Sequence, residues 1–331
     1  MWSFASAGGA AAQGTDAFTA SVFASAGALT HQTAKGSEPI AEPDDITALA
    51  GRIYVGFQNG VGSQGEPSPT GNEDSTIVAF DSSGRPVAQW DVLGKCDGLT
   101  ADPLTHRVIA TVNEDGNSSL YVIDPDAGST PVHYSYNEPL PSNGGTDAIS
   151  IYHGAILISA SAPGTTGAAA PQADYPAVYR VELNASTHVA TVHGIFSDEA
   201  MATTANTGSQ EGTALALALV DPDSNEVVPA GAAFMLTSQA DQEQIYVSDA
   251  GAAGQKLSVL ALSQSVDDTA WASDREGALY TADNANDRST ASAARSSRAR
   301  RSSPSPRATP ATRRRPARGP ASRRTTSVRS T

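Results

Sequence analysis

The 331-residue sequence has a single cysteine, Cys96. No disulfide framework can brace it, and the lone thiol beside a turn reads as structural filler rather than a nucleophile. Aromatic residues make up only 6% and hydrophobic residues 39%, so core material has to come from many thin β layers. No run of about 18 apolar residues occurs, which leaves no membrane span of the helical kind. There is no G-x-S-x-G elbow, no H-E-x-x-H and no phosphate-binding loop. Positive charge is scarce over most of the chain. Residues 1–287 hold all 35 acidic groups and eight Lys or Arg, a balance of −27, whereas residues 288–331 hold thirteen Arg and no acid. The acidic body repels nucleic acid and anionic membranes and attracts cations.

What is present is a repeat, clearest in residues 97–129. His106-Arg107-Val108-Ile109-Ala110-Thr111-Val112 is rich in β-branched residues, which suit a pleated surface. Asn113-Glu114-Asp115-Gly116-Asn117 breaks it with a hairpin signal. Leu120-Tyr121-Val122-Ile123 is the next strand, and Asp124-Pro125-Asp126-Ala127-Gly128 turns the chain back. With the short run after Asp97 and a return over residues 130–136, this makes a four-stranded antiparallel meander, of the roughly 40–50 residues expected of a propeller blade. Asp102-Pro103-Leu104-Thr105, Arg107-Val108-Ile109 and Tyr121-Val122-Ile123-Asp124 resemble the bacterial YVTN-type β-propeller repeat, akin to WD40-type repeats. The resemblance is close over this one unit and looser elsewhere. It implies an all-β propeller of four-stranded antiparallel blades, and no particular reaction.

The propeller is expected over residues 43–287. About five to six blades are recognisable, and the last is incomplete. Blades open at Asp45, Asp97, Asp147 and Asp268. The fourth unit is read at residues 213–228, with Asp221-Pro222-Asp223-Ser224-Asn225 as a hairpin turn, and the fifth at residues 234–262. Residues 1–42, rich in Ala, Gly and Ser, read as a flexible lead or the remnant of a secretory signal without a basic n-region. Residues 288–331 have one Val and no other large apolar residue. Two readings stand for them: a basic disordered tail, or an out-of-frame translation of a GC-rich gene. The second is favoured because the break interrupts a blade. An unclosed ring leaves strand edges open, which predicts poor solubility for this chain.

For chemistry, equivalent positions at the start of each blade line the central channel. Asp45, Asp97, Asp147 and Asp268 then form a ring at one mouth, a set of hard oxygen donors that suits Ca²⁺. The plainer reading is that each Asp caps its own turn. The six His, at 31, 106, 133, 153, 188 and 193, form no ligand pattern. Asn117-Ser118-Ser119 and Asn184-Ala185-Ser186 fit the glycosylation sequon and read as turns. The leading functional expectation is a non-catalytic binding or scaffold protein, secreted or on the cell surface. Its partner, a protein or small molecule, sits at a channel mouth, and no cofactor is required. The alternative is a divalent-metal-dependent hydrolase like the lactonase propellers, whose Glu/Asn/Asp sets imply Asn113 and Asn143 beside the Asp ring. Nucleic acid enters only if the Arg-rich tail is genuine.

Overall fold

The computed structural model describes residues 19–26, 29–141, 144–161, 175–231, 233–271 and 276–295. The chain divides into two units, residues 1–296 and 297–331. The second lies outside the described residues, and with it most of the Arg-rich stretch and the question of its reading frame. Among the described residues there is no α-helix, and no helix long and apolar enough to cross a membrane.

In chain order, β1 (Thr19–Ser25) is followed by the hairpin β2 (Thr30–Thr33) and β3 (Gly36–Pro39). The first blade is β4 (Pro43–Leu49), β5 (Arg52–Phe57), β6 (Asp74–Phe80) and β7 (Pro86–Leu93). The second is β8 (Cys96–Asp102), β9 (Arg107–Val112), β10 (Ser119–Ile123) and β11 (Val132–Tyr136). The third is β12 (Ile149–Tyr152), β13 (Ala155–Ser159), β14 (Pro176–Asn184) and β15 (Val189–Ser197). A short hairpin, β16 (Met201–Thr204) and β17 (Ala214–Ala216), precedes the fourth blade, β18 (Pro222–Val227), β19 (Phe234–Ser238), β20 (Glu243–Ser248) and β21 (Lys256–Ala261). The last sheet joins β22 (Glu276–Asp283) and β23 (Arg288–Arg295) to β1, in the order β1-β23-β22. The innermost strands β4, β8, β12 and β18 are successive neighbours, and β22 lies beside β4. This is a β-propeller arrangement.

The central strands of each blade read as near-continuous apolar runs because both their faces are covered, each by a different neighbour. Along β5, Tyr54 enters the layer between the first and second blades, whereas Ile53, Val55 and Phe57 face the layer shared with the last sheet. In β9, Val108, Ala110 and Val112 face the first blade and Ile109 the third. In β14, Val178 packs toward the fourth blade, Tyr179 and Val181 toward the second. Each large side chain so buried contributes about 1.5–3 kcal/mol. Outer strands see solvent on one side and alternate, as in β7.

Three expectations are corrected. The separate fourth and fifth units form one blade. Residues 221–225, read as a hairpin turn from their Asp-Pro-Asp-Ser-Asn composition, supply most of its innermost strand, Pro222–Val227. The β16–β17 hairpin instead pairs in parallel with the outer strand β21, Thr203 opposite Ser258.

Strand structure also extends past residue 287. Arg288–Arg295 is small and polar but is paired on both sides, to β22 and to β1, so its backbone ladder holds it without large apolar groups. Arg288 Nε reaches Asp283 at 2.8 Å, and Thr281 and Thr290 hydroxyls meet at 2.7 Å.

Finally, residues 19–42 are not a featureless lead. β1 covers the edge of β23 that an unfinished blade leaves open, and Phe23 packs edge-on against Phe80 and Tyr280. The β2–β3 hairpin leans on the first blade, where Thr70 Oγ1 donates to Glu38 at 2.8 Å and Gln89 Nε2 to the Thr30 carbonyl at 3.1 Å.

Candidate functional site

Three of the four blades begin their innermost strand with an irregularity, whereas β12 of the third pairs with β13 in regular register. The β4–β5 register slips between Pro43 and Ile46, β8–β9 between Cys96 and Gly98, and β18–β19 between Pro222 and Asn225. The residues inside these bulges are Asp44 and Asp45, Asp97, and Asp223 with Ser224. A bulge re-aims a side chain out of the strand's alternation. Here the three bulges turn carboxyls into one cavity, and Asp147, just before β12, joins them. All line one cavity of about 240 Å³, with Glu114, Asp267 and Asp268.

The strands that carry the carboxyls are tied to one another around the rim. Asp45 Oδ2 accepts the Leu99 N–H at 2.6 Å. Thr111 Oγ1 donates to the Asp147 carbonyl at 2.6 Å, and Asn225 Nδ2 to the Ala148 carbonyl at 2.5 Å. Gly98 marks a close approach on this rim, since a Cβ there would lie 2.2 Å from Thr111 Oγ1 and 2.3 Å from the Asp147 carbonyl oxygen.

Among the described residues, eight carboxyl side chains thus face a well that contains one ammonium, Lys95. Lys95 Nζ pairs with Glu114 and, at 3.2 Å, with Asp97 Oδ1, which also accepts from Gln58 Nε2 at 2.7 Å. Gln239 Nε2 donates to Asp267 Oδ1 at 2.9 Å. The remaining oxygens fare worse. Asp97 Oδ2 and Asp223 Oδ2 are buried without a donor. Asp44 stands within hydrogen-bonding reach of Asp97, and Asp147 of Asp223. Two carboxyls can bond only when one keeps its proton; otherwise a cation must come between them.

The titration behaviour follows from this crowding. Burial, then Glu114, push Asp97 up to about 7 against the opposing pull of Lys95. Burial, with Asp267 and Asp221 adding repulsion, takes Asp223 to about 7. Asp44, Asp45 and Asp147 rise well above the ordinary carboxylate range, chiefly through burial and then through Asp97, Asp268 and Asp223 respectively. Asp267 and Asp268 stay exposed on the rim, where solvent screens the same upward tendency. Lys95 is held charged: burial opposes it, but Asp97 and Glu114 win.

The four Asp picked out from blade starts, Asp45, Asp97, Asp147 and Asp268, all line this well. Sequence reading missed Asp44, Asp223, Asp267 and Glu114. Asp44 and Asp267 adjoin identified residues, and Asp223 hid inside an apparent turn. Glu114 sits in a hairpin turn, where nothing local reveals its aim.

Asn113 does not join the set. Its side chain accepts the Lys95 N–H at 2.9 Å and donates to the Asn117 carbonyl at 3.1 Å. Asn143 lies outside the described residues. Cys96 is fully buried, with its thiol pushed up by burial.

The donor set suits a hard cation. Among the described residues, however, no three His, Cys, Asp or Glu side chains already converge on one ion position. A volume of about 240 Å³ equals roughly eight waters at ~30 Å³ each. The well therefore fits a cation that keeps part of its water shell, or an organic cation, better than a bare ion held by the protein alone.

No family model matches the sequence, and no curated protein matches it. Solved structures do. One is the β-propeller domain of Cps50 (Swd1) from Myceliophteria thermophila: 14% identity, TM-score 0.38, with 67% of this chain and 57% of that one covered. Another is a putative 6-phosphogluconolactonase from Bacteroides uniformis: 12% identity, TM-score 0.37, with 67% and 58% covered. A third is the periplasmic gluconolactonase of Pseudomonas aeruginosa: 12% identity, TM-score 0.30, with 70% and 88% covered. The chain spans 49% to 58% of the length of the first propellers it matches. The β-propeller arrangement itself rests on the strand order and the inner-strand neighbours described above.

Proposed function

We propose that the chain is a non-catalytic binding protein that takes a positively charged partner into the acidic well at its axial mouth. The observation that carries this reading is the imbalance in the well among the described residues: eight carboxyls, one ammonium, and buried oxygens of Asp97 and Asp223 that lack a donor. Two carboxylates about 4 Å apart repel by roughly 4 kcal/mol at an effective dielectric of 20. Protons or a bound cation must relieve that repulsion. Lys95 already illustrates the chemistry, an ammonium held between Asp97 and Glu114. A partner that offers Ca²⁺, or a basic side chain, completes what Lys95 begins.

A lactonase-type hydrolase is less favoured, because Asn113 is engaged in the wall and does not face the well.

The test is calorimetric titration of the full chain with Ca²⁺ and, separately, with an Arg-containing peptide, at pH 8 and pH 5. Binding is expected at pH 8 and should fade at pH 5, where protons hold the same oxygens. Asp97→Asn should weaken it. Absence of heat for both probes at pH 8, with the chain folded, would overturn the proposal.

A further inference from the structure

A second cavity, of about 710 Å³, opens beside the well, between the first and second blades. Consecutive residues divide the two: Asn113 lines this cleft and Glu114 lines the well. We propose that the cleft is a binding site for an uncharged polyhydroxylated ligand, a short neutral saccharide. Its volume lies in the range of roughly 300–1,000 Å³ typical of small-molecule sites.

The lining sets the ligand class. Among the described residues, Glu73 and Glu138 are its charged residues, and neither Lys nor Arg reaches it. An anionic ligand would find no counter-charge. A wholly apolar ligand would strand Asn117, Ser135, Asn137 and both carboxylates. Hydroxyl groups are donors and acceptors at once, and carboxylates accept them strongly.

A platform for the apolar face of a sugar ring is also in place. His133 is exposed, yet its ring is fixed from two sides. It stacks on Tyr121, with centroids 4.6 Å apart and planes 24° apart, and its Nε2 is 2.8 Å from Ser119 Oγ. Tyr121 is itself anchored by its hydroxyl to the Leu93 carbonyl at 3.4 Å. An exposed side chain normally gives up rotamer freedom when a ligand orders it; here that ordering is already done. The burial of its inner face lowers the imidazole's proton affinity, which favours the neutral ring, and its outer face suits C–H groups rather than an anion.

The test is to screen the full chain against immobilised neutral di- and trisaccharides, then measure the strongest by calorimetry. At least one should bind, with an affinity that salt and chelator leave unchanged, unlike that of the well. His133→Ala should weaken it by roughly tenfold or more. His133→Phe, which keeps the stacked ring, should recover most of the loss. Asn117→Ala gives a second, exposed site for the same comparison. The melting temperature of each variant guards against misfolding. Three results would overturn the assignment: no saccharide binding on the order of 10 mM, equal binding by His133→Ala, or capture of amines alone with steep salt dependence. Failure of cation binding in the well leaves this site standing, and the reverse also holds.

Discussion

The acidic well should make this protein less stable as pH rises through neutrality. Asp97 and Asp223 titrate near 7 in the folded chain, against about 3.9 when unfolded. Between those values the folded chain holds protons that the unfolded chain has released, so stability falls with rising pH. Three pH units at 1.36 kcal/mol each amount to about 4 kcal/mol for one independent group. Asp44 lies within hydrogen-bonding reach of Asp97, so the two titrate together, and about half of that, ~2 kcal/mol, is the expectation for Asp97 alone. At the acid end the sign reverses. Asp81 and Asp283 are lowered, Asp81 chiefly by hydrogen bonds from Ser83 and Asp283 by Asn286. They favour folding above the ordinary carboxylate range and lose that contribution as they are protonated. The stability maximum should lie between, on the mildly acid side.

Asp97→Asn isolates the effect. The amide oxygen still accepts from Gln58 and Lys95, and the new N–H₂ can donate to Asp44, which the carboxylate could not do. At pH 8 without divalent ions the variant should be about 2 kcal/mol more stable, which for a domain of this size is roughly 4–8 °C in melting temperature. At pH 5, where the folded Asp97 keeps its proton but the unfolded carboxyl is still ionised, the gain should shrink to about a third, and it should vanish only below the unfolded value of about 3.9. Thermal unfolding from pH 5 to 8.5 with chelator present reads both slopes. A variant that melts at or below the parent at pH 8 refutes the reasoning, because Asp97 would then be a stabilising carboxylate rather than a site held ready for a cation.

The other predictions concern the frame around the well. Ca²⁺ should raise the melting temperature of the parent at pH 8 by more than at pH 5, with chelator reversing it; equal shifts at both pH values would point to a site elsewhere. Gly98→Ala puts a methyl 2.3 Å from the Asp147 carbonyl oxygen and should cost about 1–3 kcal/mol in urea unfolding. Asp45→Ala leaves the Leu99 N–H without its acceptor and should cost about 1–3 kcal/mol, while Asp45→Asn should recover most of it. Phe23→Ala opens the contact with Phe80 and Tyr280 and should loosen β1 first, seen as faster amide exchange in residues 288–295 than in β9.

The blade repeat was legible because its signal is redundant. Each central strand is buried on both faces, so Arg107–Val112 and Arg52–Phe57 show as apolar runs whichever face one counts. The fourth blade was not, because composition and position disagree there. Asp-Pro-Asp-Ser-Asn has the chemistry of a turn, and Pro222 is tolerated in β18 only at a register slip, where no ladder hydrogen bond is asked of it. The closing sheet was hidden for a different reason. Pairing β23 between β22 and β1 joins residues more than 260 apart, Thr19 opposite Ala293, through side chains too small to carry a hydrophobic signal.

The same distinction explains the half-found site. Period-two alternation tells which face a strand residue takes, and a bulge cancels that rule at the positions where Asp44, Asp45, Asp97 and Asp223 stand. What survived in the sequence was the recurrence of Asp at blade starts; what was lost was its direction. The bulges matter functionally because a regular strand would bury these carboxyls between blades or turn them to solvent. In the core they would face the apolar layers, at a cost of several kcal/mol for an unpaired charge. In solvent they would titrate like ordinary acids. The slipped register puts them at the axis, near enough to repel and dry enough for the repulsion to count. A sequence that only needed turn caps could have used Asn or Ser in those places, with no charge to accommodate. Carboxyls in every one of them, around the one lysine among the described residues, are the arrangement that the proposed site for positive charge needs.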